Sequence, residues 1–371
     1  MPRPCAKMST VGYRRNSQTQ HCVCSLKLEH VGLDSRIAAA VLTNPPRVHG
    51  ASVGCTAKQA VWSTGRATLY RYFPLPFAPQ VCHKPVLICF ALVNRPYILD
   101  LSPERSLVRR MLATGLEVYL LDWGDPDECD RCVGLDEYIE GHLDACVRYI
   151  LRTHGVDGLN LVGVCQGGTF SLCYAALHPA RIANLVTITT PVDFHTPEDL
   201  LSKWVRNLDT ELLLRAGNVP GFLLNLLFLA LAPFRLGSYK YVAFLARNPE
   251  QAVIDRFVAV ERWISDSPVQ AAAALTQFVR WFYQENRLVG GSLVIGGKTV
   301  DLGRVVQPVL NIYAIRDHLV PAAASAVMRQ YIRSTDYTCC ALDTGHIGIH
   351  VSQRPQLDPR AQISSWLRER D

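Results

Sequence analysis

The sequence predicts an α/β fold: a mostly parallel, doubly wound sheet carrying an inserted helical cap. Short apolar runs rich in β-branched residues alternate with stretches of helical periodicity between residues 85 and 189. This is the pattern of strands buried on both faces and joined by crossover helices. The strand signal then vanishes from about Asp193 to Leu288 and returns at Pro308; so long a helical interval is an insertion rather than a connecting loop. With 371 residues, 49% of them hydrophobic, the chain can bury a core of that size.

Each element has its own signal. Thr68–Phe73 alternates apolar and polar side chains, as an early antiparallel strand does. Pro85–Ala91 is apolar throughout and reads as a buried strand, followed by the loop Leu92–Pro96. Leu107–Ala113 reads as a helix, and Glu117–Asp122 as a strand ending at Trp123-Gly124. Apolar residues at Leu135, Tyr138, Ile139, Leu143, Val147 and Ile150 give Leu135–Leu151 helical spacing. Leu159–Val164 is a strand, Thr169–Leu177 a helix that stops before Pro179, and Ile182–Thr189 a further strand. The interval 193–288 is helical, with a glycine/proline break at Gly217–Gly221. Pro308–Ile315 and Tyr337–Leu342 are strands again, and the amphipathic helix Pro359–Arg368 comes last. The reading divides the chain into a divergent N-terminal segment 1–50, a core of 51–192 and 289–371, and a cap of 193–288. No acidic residue precedes Glu29, while Arg3, Lys7, Arg14, Arg15 and Lys27 are basic. That composition matches an organellar transit peptide. A divergent, poorly ordered lead-in, or a start codon set too far upstream, also accounts for it and is preferred.

Gly163-Val164-Cys165-Gln166-Gly167-Gly168 stands where the Leu159–Val164 strand turns into the next helix. So sharp a turn leaves room only for glycine beside a nucleophile. The segment reads as the nucleophile elbow of an α/β hydrolase, with cysteine where serine is usual. The Cys165 thiol then lies at the carboxyl edge of the sheet and the amino end of a helix, where dipole and orphan N–H groups favour a thiolate and a developing oxyanion. In this fold a carboxylate and a histidine follow the nucleophile in that order. Asp317 comes directly after the Val309–Ile315 strand and His346 in the loop after Tyr337–Leu342, both at the edge where open α/β sheets bind ligands. His346 would take the thiol proton, with Asp317 orienting the imidazole and stabilising its cation. The oxyanion falls to the backbone N–H of Gln166 and to a second donor from the Ala91–Asn94 loop, for which Val93 is the choice. The other histidines have plainer readings. His350 is surface or structural; His318 is either a second base or, the preferred reading, packs near the site and supports the carboxylate. His178 is a helix C-terminal cation, and His195 either touches the site from the cap entrance or, as preferred, is structural there.

Cysteine in place of serine carries chemical information. A thiolate attacking a thioester exchanges one thioester for another, a nearly balanced step that keeps the product activated. A serine ester would be a lower-energy trap for onward transfer. The cysteine therefore favours acyl transfer from thioester donors, without excluding hydrolysis.

Composition narrows the field further. Lys and Arg outnumber Asp and Glu by 38 to 32, a net charge of +6, which suits a phosphate-bearing small molecule and is too diffuse to argue for nucleic acid. The longest apolar stretch, Phe222–Phe234, is broken by Asn225 and Pro233 and falls short of a bilayer span, so no transmembrane segment is read. The 13 cysteines are an odd number in a long chain without an apolar signal peptide, which is no secreted disulfide framework. Cys89, Cys146 and Cys173 sit in apolar segments as small hydrophobes. Cys129-x-x-Cys132 and Cys22-x-Cys24 lack a second pair at ligand spacing, so no metal is assigned. A reducing cytoplasm follows.

These segments resemble a known family. Gly163–Tyr174 is similar to the lipase-like box of polyhydroxyalkanoate synthases, and Ala91–Tyr97, Tyr119–Gly124, Thr190–His195, Asp317–Pro321 and Gly345–Ile349 are similar to its other motifs. From about residue 51 onward the chain resembles the class III catalytic subunit. The resemblance implies a triad of Cys165, Asp317 and His346 that polymerises (R)-3-hydroxyacyl-CoA, above all 3-hydroxybutyryl-CoA, into polyester with release of CoA. The growing polyester chain is held on the cysteine, and no cofactor is needed beyond the CoA thioester substrate. Whether Asp317 or His346 activates the incoming hydroxyl stays open. The resemblance also implies a homodimer, a non-catalytic companion subunit, and a cytoplasmic place at the surface of polyhydroxyalkanoate granules. Trp263–Asp266 resembles the cap segment that packs over the nucleophile and joins the dimer contacts. The chain departs from the family in its first 50 residues, which lack a short acidic helical lead-in, and at Thr344, where glycine is frequent. Phe222–Phe234 would line a polymer exit, adhere to the granule or fill the core, and core filling is preferred.

Two other readings stand beside this one. A cysteine-nucleophile hydrolase, a depolymerase or lactone hydrolase, is disfavoured by the long apolar cap, because excluding water protects an acyl thioester. A catalytically silent granule-associated subunit has no physical need for a thiol, a carboxylate and an imidazole at strand ends.

Overall fold

The computed structural model describes residues 54–371 except 77, 80–81, 232–243, 245, 247–249 and 353–357. The lead-in 1–50, and with it Cys22-x-Cys24, lies outside the described residues. The strands are β1 (Lys58–Thr64), β2 (Ala67–Tyr72), β3 (Val86–Cys89), β4 (Val118–Asp122), β5 (Leu159–Val164), β6 (Ile182–Ile188), a two-residue hairpin of β7 (Val294–Ile295) and β8 (Lys298–Thr299), β9 (Val309–Ala314) and β10 (Tyr337–Leu342). Among the described residues eight of them form one sheet in the order β1-β2-β4-β3-β5-β6-β9-β10. The pairs β1–β2 and β2–β4 are antiparallel; every pair from β4 onward across the sheet is parallel. The chain steps from β3 to β4 on one side and returns to β5 on the other. A crevice therefore opens at the carboxyl ends of β3 and β5, the switch point where such sheets bind ligands.

Side-chain alternation explains why both faces are covered. In β3 every residue is 0% exposed: Leu87 and Cys89 join one core cluster, while Val86 and Ile88 join the other. Burying each aliphatic side chain contributes about 1.5–3 kcal/mol. The second face is closed by α1 (Leu107–Ala113), whose Ser106 cap accepts the Arg109 N–H, and by the last helix (Pro359–Arg368), which brings Ile363, Trp366 and Leu367. The first face is closed by α2 (Asp144–His154), entered through a π-helical stretch at Glu137–Leu143, and by α3 (Gln166–Leu177). Every residue of α3 is buried. Its helical character therefore rests on its place between two strands rather than on an amphipathic stripe.

Between β6 and β9 the described residues form α4 (Leu200–Val205), α5 (Thr210–Arg215), α6 (Gly221–Leu231), α7 (Gln251–Ile264) and α8 (Ala272–Phe278), which continues as a π-helical stretch at Val279–Gln284. Phe194, Phe278 and Phe282 from this part of the chain pack into the first-face core, with ring centroids 5.8 Å apart for Phe194–Phe278 and 5.3 Å for Phe194–Phe282. One expectation fails here. The apolar run from Phe222 does not fill the core over its described part: Gly221, Leu224 and Leu231 are buried, but Phe222, Leu223, Leu226 and Leu229 are exposed. A run apolar on all sides gives no sign of which face meets water. Residues 232–234 of that run lie outside the described residues.

Candidate active site

Cys165 leaves β5 with φ 53 and ψ −124, a backbone conformation that a side chain adopts only when its surroundings hold it there. Its N–H donates to the Ile188 carbonyl at 2.8 Å, and its carbonyl accepts from the N–H groups of Gly168 and Thr169 at 2.9 and 3.3 Å. The glycines beside it answer to close packing. A Cβ at Gly163 would come within 2.6 Å of Ser171 Oγ, and one at Gly167 would strike the carbonyl oxygens of Cys89 and Phe90. The start of α3 is thus pressed against the end of β3.

Asp317 and His346 arrive on the loops after β9 and β10. These loops are stitched together: the Arg316 N–H donates to the Thr344 carbonyl at 2.9 Å, and the Arg316 guanidinium pairs with Asp343 at 2.8 Å. His346 Nδ1 donates to Asp317 Oδ2 at 2.6 Å, while Asp317 Oδ1 accepts from the N–H groups of Leu319 and Val320 at 2.8 and 2.9 Å. The Asp317 side chain is 0% exposed. With its δ nitrogen committed to the carboxylate, the imidazole lies beside Cys165, which favours its charged form. Burial works against a charged imidazole, yet the charge and hydrogen bond of Asp317, together with Cys165, hold the His346 pKa well above its usual value. Cys165, Asp317 and His346, at successive separations of 152 and 29 positions along the chain, are therefore brought to one corner of the sheet.

The buried cysteines do not compete. Burial pushes the Cys89, Cys146 and Cys173 thiols up to about 12, so they remain protonated and inert. Cys165 is half-buried. Among the described residues no cluster of three or more His, Cys, Asp or Glu is arranged to hold a metal ion.

Gln166 occupies the first position of α3, where a backbone N–H has no intrahelical acceptor. Its side chain does something the sequence did not reveal: Oε1 accepts the Leu92 N–H at 3.1 Å, fastening the loop that carries Val93. That loop is also fastened from above. Gln270 Nε2 donates to the Leu92 carbonyl at 2.8 Å, and Asn94 Nδ2 donates to the carbonyls of Trp263 and Ile264 at 3.2 Å and to Ser267 Oγ at 3.0 Å. Trp263 Nε1 donates to the Arg95 carbonyl at 2.6 Å and the Tyr97 hydroxyl to Asp266 at 3.1 Å. The motif Trp263–Asp266 thus sits directly on the loop after β3.

The remaining histidines fall into place. His178 caps α3 and pairs with Glu140 at 2.7 Å, and His195 is exposed and hydrogen-bonds the Tyr283 carbonyl at 2.9 Å. His350 is half-buried rather than on the surface and borders a small cavity with Ile98, Leu107, Ile349 and Ile363. Tyr283 was not anticipated: burial first, then the charges of Asp199 and Cys165, drive its pKa well up, so it is a neutral phenol.

Residues 84–352 match the α/β hydrolase fold family, and residues 42–111 match the family described as the poly-beta-hydroxybutyrate polymerase (PhaC) N-terminus. The chain is 47% identical to the poly(3-hydroxyalkanoate) polymerase subunit PhaC of Allochromatium vinosum, over 93% of this chain and 98% of that one. It is 48% identical to the protein of the same name from Thiocystis violacea, over 85% of this chain and 89% of that one. Among solved structures it is similar to the monoacylglycerol lipase of Paleococcus ferrophilus, with a TM-score of 0.50 and 16% identity over 82% of this chain and 99% of that one. It is likewise similar to DcsB in complex with its substrate analogue, with a TM-score of 0.52 and 15% identity over 85% and 99%. Likeness at such low identity speaks for the fold alone.

Proposed function

The chain belongs to the poly(3-hydroxyalkanoate) polymerases, and from that premise we propose that Cys165, His346 and Asp317 carry out the polymerisation through an acyl-cysteine thioester. The reading is carried by the buried Asp317 carboxylate hydrogen-bonded to His346, with Cys165 beside that imidazole.

The steps follow from the geometry. His346 takes the proton of Cys165, and the sulfur attacks the thioester carbonyl of a (R)-3-hydroxyacyl-CoA. The oxyanion is received by the N–H groups of Gln166 and Val93. As the intermediate collapses, the carbon–sulfur bond to CoA breaks and the imidazolium proton leaves with the CoA thiol. The 3-hydroxyl of the next hydroxyacyl-CoA then gives up its proton and attacks the acyl–Cys165 carbonyl. The carbon–sulfur bond to Cys165 breaks, the proton passes to that sulfur, and the lengthened acyl-CoA returns to Cys165 by a further thioester exchange that releases CoA. Both oxygens of Asp317 are already engaged, one by His346 and one by two backbone N–H groups. This favours His346 over Asp317 as the base for the hydroxyl as well.

The helical segment 193–288 is read as the cap. Its aromatic cluster of Phe194, Phe278 and Phe282 anchors it to the first-face core, and a seated cap keeps water from the acyl thioester. The exposed apolar side chains of α4 to α6, Trp204, Leu212, Phe222 and Leu226 among them, support contact with a second copy, a non-catalytic companion subunit or a polyhydroxyalkanoate granule. No described helix is long and apolar enough to cross a membrane, in keeping with attachment by surface contact alone.

Purified chain given 3-hydroxybutyryl-CoA, with and without a companion subunit, should release free CoA and deposit insoluble polymer. Cys165→Ala should abolish both. CoA release without polymer would point to hydrolysis, and an unchanged rate in Cys165→Ala would remove the nucleophile from the scheme.

A further inference from the structure

We propose that Gln270, on the cap side of the crevice, is a positioning residue for the oxyanion hole: its amide fixes the Leu92–Val93 peptide so that the Val93 N–H is held in its donor orientation. The inference rests on the acyl-Cys165 reading and adds a link between a seated cap and a competent hole.

The Leu92 carbonyl and the Val93 N–H belong to one planar trans peptide and point in opposite directions. No cis peptide occurs among the described residues. Gln270 Nε2 donates to that carbonyl at 2.8 Å, so wherever Gln270 pulls the oxygen, the N–H faces the other way. The preceding peptide is pinned too, through the Leu92 N–H on Gln166 Oε1 at 3.1 Å. The loop is thus gripped on one side by the residue after the nucleophile and on the other by the cap. Among the described residues the Val93 N–H itself donates to no protein acceptor, which leaves it available to an oxyanion.

Gln270 is itself firmly held. It is 3% exposed, and its backbone bonds Val219 in both directions at 2.9 Å. Its Nε2 also approaches the carbonyls of Pro268 and Val269 at 3.2 and 3.5 Å. Three carbonyl oxygens around one amide end admit only the NH2 group there. When Gln270 withdraws with its segment, the Leu92 carbonyl loses its partner and the peptide is free to rotate. The hole is then complete only with the cap in place.

The test separates chemistry that makes an oxyanion from chemistry that does not. Single-turnover acylation of Cys165 by 3-hydroxybutyryl-CoA passes through an oxyanion. Alkylation of Cys165 by iodoacetamide displaces iodide at a saturated carbon and forms none. Gln270→Met keeps the side-chain length without a donor, and Gln270→Glu turns an acceptor toward three carbonyls. Acylation should slow about ten- to a hundredfold in Gln270→Met and at least as much in Gln270→Glu, with alkylation within about twofold of the unaltered enzyme. Acylation unchanged in both variants, or acylation and alkylation falling by the same factor, overturns the proposal. A fault in the underlying reading looks different: neither reagent then labels Cys165 of the unaltered enzyme by mass spectrometry, and this proposal falls with it.

Discussion

At the residue scale, the contrast between two neighbouring histidines shows how position sets charge. His346 is a stronger base than an ordinary imidazole because Asp317 and Cys165 outweigh burial. His350, four residues on, is pushed down to about 3 by burial first and then by the positive charges of His346 and Arg360. A neutral His350 spares the His346 imidazole a second positive neighbour. The sign of the stability effect follows. His350 has a folded pKa below its unfolded value of about 6.5, so the unfolded chain binds the proton first as pH falls. Stability is full above the unfolded value and is lost as pH drops toward about 3. Asp199 works oppositely: burial raises it to about 6, so its contribution is present at low pH and lost as pH rises through that value. His350→Gln isolates the first effect. Its urea midpoint should fall less than that of the unaltered enzyme between pH 6.5 and 4, and parallel curves would contradict the assignment.

At the scale of elements, Asp100 ties three segments together. It is 1% exposed, and it accepts the Thr56 N–H at 2.8 Å, the Thr56 hydroxyl at 2.7 Å, the Cys55 thiol at 3.1 Å and the Ser106 hydroxyl. Ser106 is in turn the cap of α1. Asp100→Ala leaves several buried donors without an acceptor and should cost about 2–4 kcal/mol in chemical denaturation; a loss below about 1 kcal/mol would mean that water replaces the carboxylate. Nothing in the sequence announced this node, because its partners are 44, 45 and 6 positions away. The strands β3, β5, β6 and β9 were legible since burial on both faces demands predominantly apolar runs. β1 was not, because an edge strand facing water carries Lys58, Gln59 and Ser63 and keeps little pattern. Cys165, Asp317 and His346 could be named because chain order and strand ends locate a triad in this fold. Gln270 could not: its contact with Leu92 spans 178 positions and rests on no local signal.

At the scale of the whole molecule, the cap presents its apolar side chains outward as well as inward. Leu212 is 65% exposed, Phe222 61% and Leu226 56%, values that single scattered residues reach but that recur here along α5 and α6. Because these side chains are already in water, Phe222→Glu and Leu226→Glu together should leave the unfolding midpoint unchanged. The same pair should weaken self-association in sedimentation velocity and retention on polyester particles. If neither association changes, the outward face has another purpose. The sheet beneath is an architecture shared with lipases, so what sets this chain apart lies in a few side chains at one corner. The backbone of residue 165, bent to φ 53, restricts which side chains that corner can accept. Threonine would force a branched carbon into a conformation that branched residues avoid. Cysteine and serine both carry their heteroatom on an unbranched carbon, so exchanging a single atom at this position keeps the turn intact, whereas threonine does not.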